Sequence, residues 1–245
     1  MMIAFEAFLV GHILTGATGL VSFWVPVLAG KGGALHRKWG RVFTWCMLAT
    51  GTFAIGMATC TLLAPLETHP KLEDAALIRG IFGWMMLYLA ILTINLAWYG
   101  LLCIRHRRDH AGNREWRNLA LQGLLLVTAA NCAWQGVRIG QGLMVGISLV
   151  GFAAVATNLA FLYARRPSRI AWQLEHIKAG IGAGISVYTA FFAFGAVRLM
   201  PELALSPVLW AVPLVTGLGL IFYHRITVAR RWKLQRARME GAVGA

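Results

Sequence analysis

Residues 3–29 read IAFEAFLVGHILTGATGLVSFWVPVLA, and residues 30–41 read GKGGALHRKWGR. The first run carries one charge, Glu6; the second packs in Lys31, Arg37, Lys38 and Arg41. About 20 mostly apolar residues carry a helix across a ~30 Å hydrocarbon core. Lys and Arg collect in the short loops that stay cytoplasmic. The pair therefore reads as one membrane span followed by a basic inner loop. Working outward, the alternation recurs. Further apolar stretches cover Val42–Leu63, Ala75–Ile104, Leu119–Val137, Leu143–Tyr163, Ile177–Val197 and Val208–Thr227. They are long and continuous rather than short and alternating, which excludes the strands of a membrane barrel.

The charges agree with this division. Of 23 Lys and Arg residues, all but Lys71, Arg79, Arg138 and Arg198 fall in every second gap or in the tail. The basic gaps hold Lys31–Arg41, then Arg105, Arg107, Arg108, Arg114 and Arg117, then Arg165, Arg166, Arg169 and Lys178; the tail holds Arg225 to Arg238. The expectation is an all-α membrane protein: seven transmembrane helices over residues 1–229, N-terminus outside, C-terminus cytoplasmic, with a basic tail at 230–245. The short Arg138–Gly142 link reads as a tight turn. Composition supports the class, with 58% hydrophobic residues, 13% charged and a mean hydropathy of +0.65, against about 25% charged in soluble domains. The net charge of +14 is split among four segments, so it signals topology and attraction to anionic headgroups rather than nucleic acid. The N-terminus has no basic region before its apolar run, so it reads as a retained span and not a cleaved signal peptide. Expected partners are the lipid bilayer, a small-molecule ligand and other subunits of a membrane complex, in a plasma membrane.

Several features read as packing. Gly11, Thr15 and Gly19 are spaced for close helix approach, as are Gly180 and Gly184. Pro26 and Pro213 lie inside spans. Cys46, Cys60, Cys103 and Cys132 show no CxxC spacing, which argues against zinc or a disulfide framework.

Polar groups inside spans are costly, so they point toward function. Two constellations emerge. Toward the outside, His12 lies about 14 Å into the first span at ~1.5 Å per residue. The fourth span carries Thr128, Asn131, Gln135 and Arg138 on one face. With Glu6, Arg79 and Arg198 they suit a pocket for a carboxylate or quinone oxygen. The competing reading is an interhelical hydrogen-bond cluster with snorkelling arginines. At the inner face, Lys31, His36, Arg37, Glu175, His176, Lys178 and His224 gather at helix ends. Histidine ligates metals and haem and titrates near neutral pH, so this group suits haem, a metal or a proton. His106 and His110 read as ordinary interfacial residues, and His69 as a loop residue.

His12-Ile13-Leu14-Thr15-Gly16, followed by Lys31-Gly32-Gly33-Ala34-Leu35-His36-Arg37-Lys38-Trp39-Gly40-Arg41-Val42, resembles a bacterial multi-pass membrane family catalogued as domain of unknown function 2306. Glu175-His176-Ile177 leading to Thr189-Ala190-Phe191 is similar to a late-helix motif of such proteins. The resemblance covers the first two spans and the sixth. It points to His12, Lys31, Gly32, His36, Arg37, Gly40 and His176 without supplying an activity, and it implies that His36 and His176 act together.

Three function classes fit. One is a redox protein binding haem or quinone. The second is a proton-linked transporter, against which stands the lack of an inverted repeat. The third is a non-catalytic subunit of a membrane complex. Hydrolase motifs such as HExxH and GxSxG are absent from the sequence. The seventh span lacks the Lys that a retinal Schiff base needs.

Overall fold

A computed structural model describes residues 1–195 and 207–243. All regular structure among them is helical. Seven long helices follow one another: α1 Met2–Leu28, α2 Ala34–Leu63, α3 Ala75–Arg105, α4 Trp116–Arg138, α5 Gly142–Leu162, α6 Ala171–Gly195 and α7 Pro207–Val243. Six of them are long and apolar enough to cross a membrane. The exception is α4, whose Asn118, Gln122, Asn131 and Gln135 hold its hydropathy down. The expected seven spans are thus seven helices, of which six meet the requirement on composition.

Local chemistry sets the helix ends. The Asp74 carboxylate accepts hydrogen bonds from the backbone N–H groups of Ala76 and Leu77, 2.9 and 3.0 Å away, and starts α3. Gly140, at φ +69°, makes the tight turn from α4 to α5. α2 begins at Ala34, eight residues before the apolar run, because its first two turns stand among charges. α6 likewise begins at Ala171. His36 and His176 therefore sit on helices, not in loops. α7 continues past Thr227 to Val243 with no break at residue 230.

α3 is the central helix. It packs on α2, α6 and α4, while α1 lies mainly on α2, α5 on α4, and α7 on α6. In its apolar window 67% of residues are buried, against 11% for α7. Much of the outer surface is apolar: Ile3 is 85% exposed and Leu28 79%. In water such a surface would drive association; hydrocarbon is the medium that suits it. Close contact between α1 and α2 depends on small residues. A side chain at Gly11 would collide with the Phe53 ring, and one at Gly19 with Met47. Tyr188 ties α6 to α1, accepting from Trp24 Nε1 at 2.6 Å and donating to the Leu20 carbonyl at 3.0 Å.

The basic segments meet at one end of the bundle. His36 neighbours His176, His176 reaches Gly100, and the Arg114 guanidinium lies 5.9 Å from the Tyr163 ring centre. At the other end the N-terminal ammonium pairs with Glu67 at 2.7 Å.

Candidate functional site

The segment from Lys31 to Arg37 first closes a helix end. The last carbonyls of a helix have no partner within it, and the helix dipole there favours cations. Lys31 Nζ donates to the Pro26 carbonyl at 2.9 Å and also to that of Val27. Arg37 donates to the Gly32 carbonyl. Gly32 sits at φ +78°, where a side chain is strained. Burial, helped by the positive charge of Arg231, pushes the Lys31 ammonium below the usual lysine range.

His36 joins the same cap. Its Nδ1 lies 2.9 Å from the Pro26 carbonyl oxygen. His176 Nδ1 lies 3.1 Å from the carbonyl of Gly100 on α3. A carbonyl only accepts, so both Nδ1 atoms carry a proton, and in a neutral ring Nε2 would then present the lone pair. The two rings stand 6.3 Å apart between centroids, with planes at 78°. Neither Nε2 has a hydrogen-bond partner among the described residues. A ligating histidine usually has this arrangement, its other nitrogen held by a backbone carbonyl. Two imidazoles that shared one metal at ~2.0–2.1 Å per bond would stand about 5–6 Å apart between ring centres. Among the described residues no group of three His, Cys, Asp or Glu side chains is placed for a metal. Remaining donors to a metal here would come from its own cofactor ring or from water.

Beside His176, α6 buries a charged cluster. Glu175 is 9% exposed. Its carboxylate accepts from Tyr99 Oη at 2.8 Å, pairs with Lys178, and lies 3.8 Å from Arg225 on α7. Lys178 also donates to Thr157 Oγ1 on α5 at 3.2 Å. The carboxylate thus ties α6 to α3 and α7, and its partner Lys178 adds α5. His224 lies next to Arg225 in the chain and, with Arg231, within electrostatic reach of Lys31.

The outer residues are placed differently. His12 Nδ1 lies 3.1 Å from the Thr50 carbonyl on α2, and Thr50 donates to Thr15 at 2.9 Å. Asn131 and Gln135 are half-buried and Arg138 is exposed. None of the three side chains bonds another described residue. α1 packs on α2 and α6, whereas α4 packs on α3 and α5, and no hydrogen bond joins His12 to the stripe among the described residues. Arg79 donates to the Leu62 carbonyl at 3.3 Å, Glu6 is exposed, and Arg198 lies outside the described residues.

Instead α4 buries Asn118, Gln122, Leu125, Ala129, Cys132 and Gly136. Its polar half makes a chain that the sequence reading passed over. Asn118 Nδ2 donates to the Asn113 carbonyl at 2.7 Å, and Gln122 Nε2 to Asn118 Oδ1 at 3.3 Å. Asn158 Nδ2 on α5 donates to Gln122 Oε1 at 3.2 Å and Asn95 Oδ1 on α3 at 3.3 Å. All four side chains are at most 2% exposed. Asn95 Nδ2 and Asn158 Oδ1, a donor and an acceptor, have no partner among the described residues. His106 and His110, which read as interfacial, also have buried Nε2 atoms without partners, and His110 packs on Phe161 at 4.7 Å. No family model, curated protein or solved structure matches this chain, so the resemblance carried by Lys31–Val42 rests on those residues alone.

Proposed function

We propose that this is a seven-span plasma-membrane protein that binds a metal-centred redox cofactor, haem foremost, between His36 and His176 for electron transfer. The observation that carries the reading is the pair of imidazoles 6.3 Å apart, each with Nδ1 held on a backbone carbonyl. The protein's part is to fix both tautomers and keep two lone pairs available; the iron, when bound, would supply the electron-accepting centre. Lys31, Arg37 and Arg231 supply positive charge suited to the carboxylates of such a cofactor.

The α4–α5 hairpin supports the reading of seven spans. α5 is apolar enough to cross, and α4 packs along it after a tight turn. The polar residues that lower its hydropathy include Asn118 and Gln122, which are buried against other helices and not against lipid. With the basic end cytoplasmic, the N-terminus is outside. The Lys31–Val42 segment supports kinship with the bacterial family of domain of unknown function 2306.

A second reading, proton-coupled transport of a small organic anion, is favoured by Glu175. A buried carboxylate held by Tyr99, Lys178 and Arg225 is the kind of intramembrane group that moves protons.

The test is the optical spectrum and metal content of purified protein. A Soret band, or stoichiometric metal, lost in both His36→Ala and His176→Ala supports the redox reading. Protein that binds neither haem nor metal when offered them overturns it.

A further inference from the structure

A groove on the outside of the bundle ends at the basic end. Its walls are Leu48 of α2, Ile94 and Trp98 of α3, and Ala120, Leu121 and Leu124 of α4, around about 300 Å³. The groove is almost wholly apolar. From Ile94 to Arg105 the helix rises about 16 Å at 1.5 Å per residue, close to one leaflet's half of a ~30 Å core. Trp98, Trp116 and Arg117 also line a second, polar recess of about 240 Å³, completed by Arg105 and Glu115. The two spaces are therefore continuous: an apolar slot and a charged mouth.

The mouth has a particular charge pattern. Two guanidiniums, Arg105 and Arg117, stand with one carboxylate, Glu115. The Arg117 guanidinium lies 5.6 Å from the Trp116 ring centre, which keeps it at the mouth. Among the described residues Glu115 forms no ion pair with either arginine, and its Oε1 is buried without a hydrogen-bond partner. Its other oxygen, Oε2, keeps exposure and is the atom that a donor in the recess can reach. Phosphate complements the arginines, and an N–H donor bearing positive charge complements Glu115. Tryptophans at such a level mark the membrane interface.

We infer that this site binds a glycerophospholipid with a phosphoethanolamine headgroup. One acyl chain lies in the slot, the phosphate rests on Arg105 and Arg117, and the primary ammonium donates to Glu115. Phosphate alone would leave the slot empty and Glu115 unpaired. A choline headgroup has the charge but no N–H to donate, and a glycerol headgroup lacks the positive charge. The inference rests on α4 lying in the bilayer.

The experiment titrates delipidated full-length protein with ethanolamine, choline and glycerol phospholipids of identical acyl chains, read by native mass spectrometry. Ethanolamine lipid should be retained about tenfold better than choline lipid, the lower end expected for a charged hydrogen bond. Glu115→Gln should erase that preference, and Glu115→Lys should turn it toward the anionic glycerol lipid. Arg105→Gln with Arg117→Gln should weaken all three lipids, and Leu121→Trp, which fills the slot, should do so without changing selectivity. Equal retention of ethanolamine and choline lipids, or a preference that survives both Glu115 variants, overturns the inference. A nitroxide at Leu121 separates the two levels of failure. Access to a water-soluble relaxer but not to oxygen overturns α4 as a span and this site with it. Access to oxygen without headgroup preference overturns the lipid assignment alone.

Discussion

Lys31 and His36 share one acceptor: the Lys31 ammonium and His36 Nδ1 each lie 2.9 Å from the Pro26 carbonyl oxygen. The cap that ends α1 thus also holds His36, whose ring lies 6.3 Å from that of His176. The same contacts would serve both the helix end and the proposed site, which shapes how variants here should behave.

If His36 and His176 hold one ligand, His36→Ala and His176→Ala should each abolish the bound species, and the double variant should cost little more. Residues acting as a unit are strongly non-additive. His106→Ala, at the same end but outside the pair, should leave binding unchanged. Equal mild effects at all three positions, read by absorbance and metal analysis, would remove the inner site.

Gly32→Ala should destabilise the protein by about 1–2 kcal/mol, since a side chain in the left-handed region is strained. Gly30→Ala meets nothing within 4 Å and should shift the melting temperature far less. If the turn also positions His36, Gly32→Ala should weaken ligand retention as well, measured on the same samples.

Protection of His69 should make stability pH-dependent. This loop residue lies between Phe82 at 4.4 Å and Phe5 at 5.6 Å, and burial lowers its pKa below the usual 6.5. The unfolded chain then binds a proton that the folded one refuses. The contribution is complete above pH 6.5 and is lost as pH falls below it. Thermal unfolding between pH 7.5 and 5 should show a drop that is smaller in His69→Gln.

Topology has a direct test. On a cysteine-free background, single cysteines at Arg107 and Arg166 should be shielded from an impermeant thiol reagent in intact cells. Cysteines at Glu73 and Arg138, both exposed, should be labelled. Shielding at Arg138 with labelling at Glu73 would show that α4 does not cross; the reverse of the whole pattern would invert the protein.

The spans were legible because hydropathy integrates over many residues, and the charge alternation reinforced it. Helix starts were less legible. Lys38 and Arg41 mask the first turns of α2, so its apolar run begins only at Val42, although helix geometry needs no apolar residues there. The polar face of α4 shows the limit best. Residues 128, 131, 135 and 138 share a face, and so do 118, 122, 125, 129, 132 and 136. The two rows lie side by side, and periodicity cannot say which one neighbouring helices cover. Asn95 and Asn158 gave a weaker signal still, each a single amide in an apolar run. The nearness of His36 and His176 was anticipated only through their shared level at the basic helix ends and the resemblance of their segments.

α7 is a single helix of 37 residues, about 55 Å at 1.5 Å per residue, while the hydrocarbon core takes up only ~30 Å. Nearly half of it therefore extends beyond the oil as a stiff rod. Arg225, which lies 3.8 Å from Glu175, sits near the middle of α7, about where the protruding length begins. Any tilt imposed on the protruding length, by a binding protein or by a change in membrane thickness, is levered to this ion pair. The length of α7 would thus couple the medium at that end of the bundle to the buried Glu175 carboxylate.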